Sequence, residues 1–236
     1  MSYATNDGST DHGYYEKPRE DVIALIPESA RDVLDAGCAS GGLGRALKAR
    51  RPGVRVRGIE PVAEQAERAR AVLDDVVVSH FDARSSLPPG WPAPDCIVFA
   101  DVIEHMVDPW GAVKRACSLL APGGALVCSI PNVTHWSATL PVLCGRFDYQ
   151  DYGVLDRTHL RFFTRRTAIE LVESAGLRVR RVARNLAYHE GVFDARWLRG
   201  ALRALLQVED GRARSFPPPL GRLADLLTVQ FLIVAS

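Results

Sequence analysis

The sequence predicts an α/β fold, a mostly parallel sheet with helices on both faces. Three observations carry this. Short apolar runs alternate with helical patterns between residues 31 and 130. The runs are nearly continuous in apolar residues, as in CIVFA at Cys96–Ala100, which is the pattern of strands buried on both faces. The first run ends in a small-residue turn that opens directly into a helical pattern.

Each element follows in order. Residues 1–13 are polar and read as disordered or as a lid. Within residues 14–30, Val22, Ile23, Leu25 and Ile26 cluster on one helix face. Arg31–Ala36 reads as a strand, followed by a helix to about Arg50. Val54–Glu60 is a second strand, and Pro61–Leu73 a helix that opens with proline. Val76–Ser79 and Cys96–Ala100 are strands. Asp108–Leu120 is a helix stopped by Ala121-Pro122-Gly123-Gly124, and Ala125–Ile130 is a strand. The rhythm then breaks: residues 131–163 are irregular and rich in aromatics. Arg165–Ala175 is a helix ended by Gly176. Leu177–Val182 alternates apolar residues with Arg, as an edge strand does. Residues 186–225 mix a helix at Arg196–Leu206 with the turn-rich SFPPPLG, and Thr228–Ala235 is a closing strand.

Length and charge bound the function. The 236 residues allow one large domain with cap elements, and 29 Lys+Arg against 28 Asp+Glu give a net charge of +1. The balance is uneven: residues 1–156 carry 15 basic and 21 acidic residues, whereas 157–222 carry 14 Arg and 6 acidic residues. This excludes a uniformly basic nucleic-acid binder and leaves an Arg-rich region as either a solvated surface or an anion-binding wall. The five Cys are scattered, without a C-x-x-C pair, so they give no zinc signature and suit a reducing compartment. No apolar stretch approaches membrane-spanning length and no charged-then-apolar leader is seen. The expectation is a cytoplasmic protein without membrane partners; nothing in the sequence specifies its oligomeric state.

The chemistry starts at V33-L34-D35-A36-G37-C38-A39-S40-G41-G42-L43-G44. Strand, small-residue turn and helix let backbone N–H groups approach a cofactor closely. A dinucleotide loop wants Gly where Ala39 stands. Glu60 ends the second strand, where a carboxylate can accept both ribose hydroxyls of a nucleoside. Phe81-Asp82-Ala83 follows the third strand and could flank an adenine.

The segment P94-D95-C96-I97-V98-F99-A100-D101-V102-I103-E104-H105-M106-V107-D108-P109, taken with the glycine loop, strongly resembles the class I S-adenosylmethionine-dependent methyltransferases of the small-molecule branch. LDRTHLRFFT at Leu155–Thr164, YYEKPR at Tyr14–Arg19 and IPNVTHW at Ile130–Trp136 resemble one sub-branch of these enzymes. The resemblance implies a single Rossmann-like domain over residues 1–236. Its sheet has seven strands, with the last strand antiparallel. Residues 14–30, 133–163 and 186–225 would form a cap over the acceptor. It also implies S-adenosylmethionine as cofactor. Asp35, Gly37, Ala39 and Gly41 would hold its methionine part, Glu60 and Pro61 the ribose, and Phe81, Asp82 and Ala83 the adenine. Asp101 and Val102 would face the methionine or sulfonium, and Tyr15 would close over the cofactor. Ala39 departs from the usual glycine; if positive φ is needed there, the methyl group costs about 1 kcal/mol.

Methyl transfer from a sulfonium rests largely on positioning. A hydroxyl acceptor adds the need for a base, and histidine has the most suitable ordinary pKa. His105, His135 and His159 all lie beyond strand ends in the sequence reading. His159 and His105 are the leading base candidates, with Asp156 placed to orient His159 if the segment turns. Asn132, His135, Trp136, Tyr152, Arg157 and Arg161 are candidates for binding a small, possibly anionic acceptor. The reading is O-methylation of a sugar, glycan precursor or natural product. The alternatives are N- or C-methylation of a small metabolite, RNA methylation, NAD-dependent oxidoreduction, and a binding protein with a decayed site. Three Lys, none after Lys114, speak against the common Tyr-x-x-x-Lys oxidoreductases. The DVIEH exit speaks against the Asn/Asp-Pro-Pro-Tyr/Phe grip of nucleic-acid enzymes on a flipped base.

Overall fold

The computed structural model describes residues 18–185 and 224–236. The chain runs α1 (Glu20–Ile23), β1 (Asp32–Ala36), α2 (Gly42–Arg50), β2 (Arg55–Glu60), α3 (Ala63–Arg70), β3 (Asp75–Val78), β4 (Cys96–Ala100), a 3-10 turn (Ile103–His105), α4 (Pro109–Leu119), β5 (Ala125–Pro131), α5 (Trp136–Leu143), α6 (Arg165–Glu173), β6 (Val179–Asn185) and β7 (Gln230–Ala235). The strands form one sheet in the order β3-β2-β1-β4-β5-β7-β6. Every pair is parallel except β5 with β7 and β7 with β6, so β7 alone runs against the rest. This is the mostly parallel Rossmann-like sheet expected, with the closing strand inserted beside the edge.

The central strands β4 and β5 are almost wholly apolar because both faces are covered. On one face Leu34, Ala36, Ile97, Phe99, Leu126 and Ile130 pack with Ala112, Val113 and Ala116 of α4 and with Leu171 and Val172 of α6. On the other, Val33, Val56, Val98 and Val127 pack with Val22 and Ile23 of α1, Leu47 of α2, and Ala66 and Ala69 of α3. Successive residues of β4 thus enter opposite cores, and none of Cys96–Phe99 is exposed. The edge strand β6 keeps the exposed Arg180 and Arg181 outward, which blunts pairing with another chain.

Helix ends follow local chemistry. Asp108 caps α4 by accepting from the Gly111 N–H, with Pro109 in the first turn. Thr164 and Thr167 close a capping box on α6, and Gly176 at φ 89° turns the chain after it. The helix read from Pro61 starts later, at Ala63, because the Val62 N–H is taken by the Glu60 carboxylate. The irregular reading of residues 131–163 missed α5. That helix is started by His135, whose ring nitrogen accepts from Ser137, and it contains Pro141. Pro141 hid it, since proline inside an apolar run reads as a breaker. Residues 1–17 and 186–223, with Tyr15, the 1–13 segment and most of the 186–225 cap element, lie outside the described residues.

Gly44 shows how closely α2 meets the sheet: an added Cβ would lie 2.3 Å from Leu73 Cδ2 and 2.9 Å from Val56 Cγ1. Gly44→Ala is expected to lower the unfolding free energy by about 1–3 kcal/mol through overpacking. Urea unfolding followed by circular dichroism measures it, and an unchanged midpoint would show that the helix can shift freely.

Candidate active site

The sheet order reverses between β1 and β4, and parallel α/β sheets open a crevice at that point beyond the carboxyl ends of their strands. The polar groups gather there. Asp35, on β1, is only 2% exposed, and its carboxyl is pushed up to about 7, first by burial and then by the charge of Glu60. Gly37 and Gly41 have φ of 84° and 80°, and Ala39 between them has φ of 46°. The positive φ that the sequence reading made conditional is therefore present at Ala39.

Glu60 accounts for how the alanine is held there. One carboxylate oxygen accepts the Ala39 N–H at 2.9 Å and the other accepts the Val62 N–H at 2.9 Å. The end of β2 thereby ties the glycine loop to the start of α3. Burial raises the Glu60 pKa, and the two amide donors oppose that rise. Each oxygen keeps a further lone pair for another donor. Gly37 is packed from the β4 side, since a Cβ on it would sit 2.5 Å from Val102 Cγ2. The backbone at Gly37 is left as a cradle without room for a side chain, which fits a bound cofactor approaching the main chain.

Asp101 follows β4 with φ of 58°. Its carboxylate accepts from Ser129 Oγ at 2.8 Å and Gln230 Nε2 at 2.8 Å, and it pairs with Arg19. Arg19 also bonds Asp21, which accepts from Asn185. Arg19, Ser129 and Gln230 were not found from the sequence. Gln230 carried a weak signal as the polar residue opening the apolar run FLIVA. Arg19 and Ser129 carried none, because their partners are distant in the chain.

Beyond Asp101, the 3-10 turn presents Glu104 and His105, and the segment carrying His159 docks on it. The Leu160 and Arg161 N–H groups both donate to the Glu104 carbonyl, at 2.8 and 3.0 Å. The rings of His105 and His159 meet edge to face, with centroids 4.8 Å apart. The two histidines read as base candidates are thus brought together. His159 is 9% exposed, and its pKa is lowered by burial and by His105. The Glu104 carboxyl is 1% exposed and is held well above the usual carboxylate range by burial and by Asp101. The segment does turn at Asp156, but that carboxylate accepts from Thr158 N and Oγ1 and leaves the His159 ring to the Val154 carbonyl.

Other candidates are used differently from the reading. Phe81 lies in the core against Phe99, centroids 5.3 Å apart, so its face is not presented to a ligand. Asp82 closes an exposed turn through Arg84 N and Ser85, with Ala83 exposed beside it. Pro61 is exposed after β2. Asn132 is fully buried: its amide donates to the Asp225 and Thr228 carbonyls, and its oxygen accepts from Thr134 N and Oγ1. His135 is buried at the start of α5, tilted against the half-buried Trp136. Those two side chains, Asn132 and His135, are spent on locking the loop after β5. Tyr152 is 72% exposed, Arg157 pairs with Asp151, and Arg161 donates to the Val107 carbonyl. Of the Arg-rich region, Arg166 and Arg184 also pair internally, with Glu170 and Asp225. These pairings favour the solvated-surface reading over an anion-binding wall for the described residues.

Residues 11–182 match the methyltransferase domain family. The chain belongs to that family. Its fold is that of the class I S-adenosylmethionine-dependent methyltransferases, whose cofactor is S-adenosylmethionine. The methyltransferase is 32% identical over 117 residues to a trans-aconitate 2-methyltransferase of Methylobacterium radiotolerans, covering 49% of this chain and 44% of that one. It is 28% identical over 204 residues to a ubiquinone biosynthesis O-methyltransferase of Methylobacterium sp. strain 4-46, covering 84% and 76%. The chain spans about half the length of the first curated relatives it matches. A crystal structure of an S-adenosylmethionine-dependent methyltransferase from Thermotoga maritima shares the fold at a TM-score of 0.61 and 20% identity, covering 94% of this chain and 88% of that one. One from Archaeoglobus fulgidus does so at 0.58 and 18%, covering 91% and 89%. No helix among the described residues is long and apolar enough to cross a membrane.

The raised carboxyl of Asp35 makes folding depend on pH. Native Asp35 holds its proton up to about pH 7, whereas the unfolded chain releases it near 3.8. The stability this proton contributes is full below about pH 4 and is lost as pH rises to 7. Asp35→Asn should therefore melt progressively closer to, or above, the parent as pH rises from 4 to 7. A constant difference in melting temperature across that window would show that Asp35 ionises normally in the fold.

Proposed function

We propose that this methyltransferase methylates an oxygen of a small molecule, a sugar, glycan precursor or natural product, with the acceptor proton removed at the His105–His159 pair. The observation that carries this is the meeting of the two imidazoles beside the β4 tip, at the sheet end where class I enzymes bring cofactor and acceptor together. The trans-aconitate and ubiquinone-biosynthesis enzymes among the relatives are consistent with a small-molecule acceptor, and the second is named an O-methyltransferase.

When bound, S-adenosylmethionine supplies an electrophilic methyl group on a positive sulfonium. The chain's own groups position it and the acceptor. The backbone of Gly37, Ala39 and Gly41 takes the methionine part, with Asp35 beneath. The spare lone pairs of Glu60 take the ribose hydroxyls, next to Pro61. Asp82 and Ala83 border the adenine, and Phe81 supports them from the core. Asp101 and Val102 border the methionine and sulfonium, with Asp101 held in place by Arg19, Ser129 and Gln230. The bound cofactor would supply its methyl group to the acceptor oxygen and leave as the neutral thioether, and the His105–His159 pair would take the hydroxyl proton. Products are the methylated oxygen and S-adenosylhomocysteine. Trp136 and Tyr152 would border the acceptor side, with Arg157 and Arg161 at its rim held by Asp151 and the Val107 carbonyl, and residues 133–163 would form a cap of the same single domain.

Calorimetric titration separates the cofactor classes: S-adenosylhomocysteine should bind and NAD should not. Glu60→Ala should weaken S-adenosylhomocysteine by about 10-fold or more, the scale of losing hydrogen bonds to a charged group. Equal binding of NAD, or full affinity in Glu60→Ala, would contradict the placement. For the chemistry, His105→Ala and His159→Ala should each lower turnover by about 10²-fold or more, with S-adenosylhomocysteine affinity nearly unchanged. Full turnover in both variants, in an acceptor screen with labelled cofactor, would remove the histidine pair from the reaction.

A further inference from the structure

The segment LDRTHL at Leu155–Leu160 brings more to His105 than the edge of the His159 ring. His105 Nδ1 lies 3.2 Å from two oxygens of Thr158, the backbone carbonyl and the side-chain Oγ1. The carbonyl can only accept. The hydroxyl gives its own proton to Asp156 Oδ1 at 2.6 Å, so toward the ring it accepts as well. Both oxygens therefore call for a proton on Nδ1, and a neutral imidazole carries one ring proton. The lone pair then falls on Nε2, which has no hydrogen-bond partner among the described residues.

His159 is arranged otherwise. Its Nδ1 lies 3.2 Å from the Val154 carbonyl, and its Nε2 faces the buried Glu104 carboxyl at 4.0 Å. Both nitrogens are turned toward the protein and the residue is buried, whereas His105 is exposed. Of the two rings, His105 is the one open to an acceptor hydroxyl. The turn around Asp156 holds the supporting groups. Its N–H donates to the Gly153 carbonyl at 3.2 Å, its carbonyl accepts the His159 N–H at 3.0 Å, and its Oδ1 also accepts the Thr158 N–H at 2.7 Å. Leu160 and Arg161 then fasten the segment to the Glu104 carbonyl, next to His105 in the chain.

We propose that His105 Nε2 takes the acceptor proton, with Thr158 and Asp156 as positioning residues that fix the ring and offset the charge it gains. This rests on the oxygen-acceptor reading above. As the oxygen gains the methyl group, its O–H bond breaks with the electron pair staying on oxygen, and the proton passes to Nε2. The imidazolium keeps its Nδ1–H on Thr158, and Thr158 Oγ1 links it to the Asp156 carboxylate. A carboxylate behind a histidine base holds the working tautomer and stabilises the imidazolium. Here a hydroxyl stands between the two groups. His159 supports the ring from its edge. Release of the proton to water restores the neutral imidazole.

Nitrogen NMR of the full chain with isotope-labelled histidine, bound to S-adenosylhomocysteine at alkaline pH, reads the ring directly. The His105 signals are those lost in His105→Ala. They should show a protonated Nδ1 and a bare Nε2. The opposite tautomer overturns the proposal, and this measurement needs no acceptor. Turnover is then followed with labelled cofactor and a phenol, a sugar and a hydroxy acid as probe acceptors. Thr158→Val and Asp156→Asn should each lower kcat by about 10-fold or more, with the KM of the acceptor nearly unchanged. Asp156→Asn keeps an oxygen for the Thr158 N–H, so the turn can close while the charge is gone. Thr158→Ser keeps the hydroxyl and should recover most of the lost kcat. S-adenosylhomocysteine affinity near the parent's shows that each variant is folded. Full kcat in folded Asp156→Asn, or Thr158→Ser no better than Thr158→Val, overturns the positioning roles and spares the base. Full turnover in His105→Ala would instead remove the base reading on which the proposal rests.

Discussion

Burial of the central strands on both faces is the constraint from which the rest of the molecule follows. A strand with helices above and below leaves little room for charge along its length: Arg57 within β2 is buried but paired with Asp32, and most polar chemistry is displaced to the strand ends. Asp35, Glu60, Asp101 and Ser129 all stand at or near the carboxyl ends of β1, β2, β4 and β5. Because those strands are parallel, their ends converge on one side of the sheet. The reversal of strand order between β1 and β4 parts the connecting helices and opens the crevice there.

That convergence carries an energetic cost, and the structure shows where it is offset. Ala39 and Asp101 both occupy the left-handed region, which costs an L-residue about 1 kcal/mol or more. Ala39 is held by the Glu60 carboxylate, and Asp101 by Arg19, Ser129 and Gln230. Strained backbone kept in place by its surroundings is common at sites that must be preorganised. Asp35 and Glu60 are also buried acidic groups close to each other, each with a raised pKa. Under the proposed placement, a cofactor carrying a sulfonium and an ammonium would bring positive charge to this side of the sheet, which such a cluster favours.

The His105–His159–Glu104 group shows the same economy at a second location. A short turn and a loop far apart in the chain are joined by backbone hydrogen bonds from Leu160 and Arg161 to Glu104. Their side chains are thereby brought into contact without any helix or strand between them. The Val154 and Thr158 carbonyls each lie 3.2 Å from the Nδ1 of His159 and His105, and the buried Glu104 carboxyl oxygens have no hydrogen-bond partner among the described residues. Docking of the segment after α5 thus sets the surroundings of these groups.

Much of this was legible in the sequence. Continuous apolar runs gave the parallel sheet, since only two-sided burial tolerates CIVFA, and Gly37, Ala39 and Gly41 marked the tight turn after β1, where all three have positive φ. The motif around Asp101 and His105 carried the family. What sequence left open was settled by tertiary contact. Phe81 faces the core because Phe99 lies across from it, Asn132 is consumed by carbonyls more than 90 residues away, and α5 forms despite Pro141 because His135 caps it. Arg19, Ser129 and Gln230 meet Asp101 from three distant places. By itself, then, the sequence determined the layers and the residues at the strand ends, which depend on local periodicity and steric size. Only the tertiary structure decided which polar groups are satisfied and which face one another, because a hydrogen bond or an empty lone pair depends on partners that chain order does not bring together.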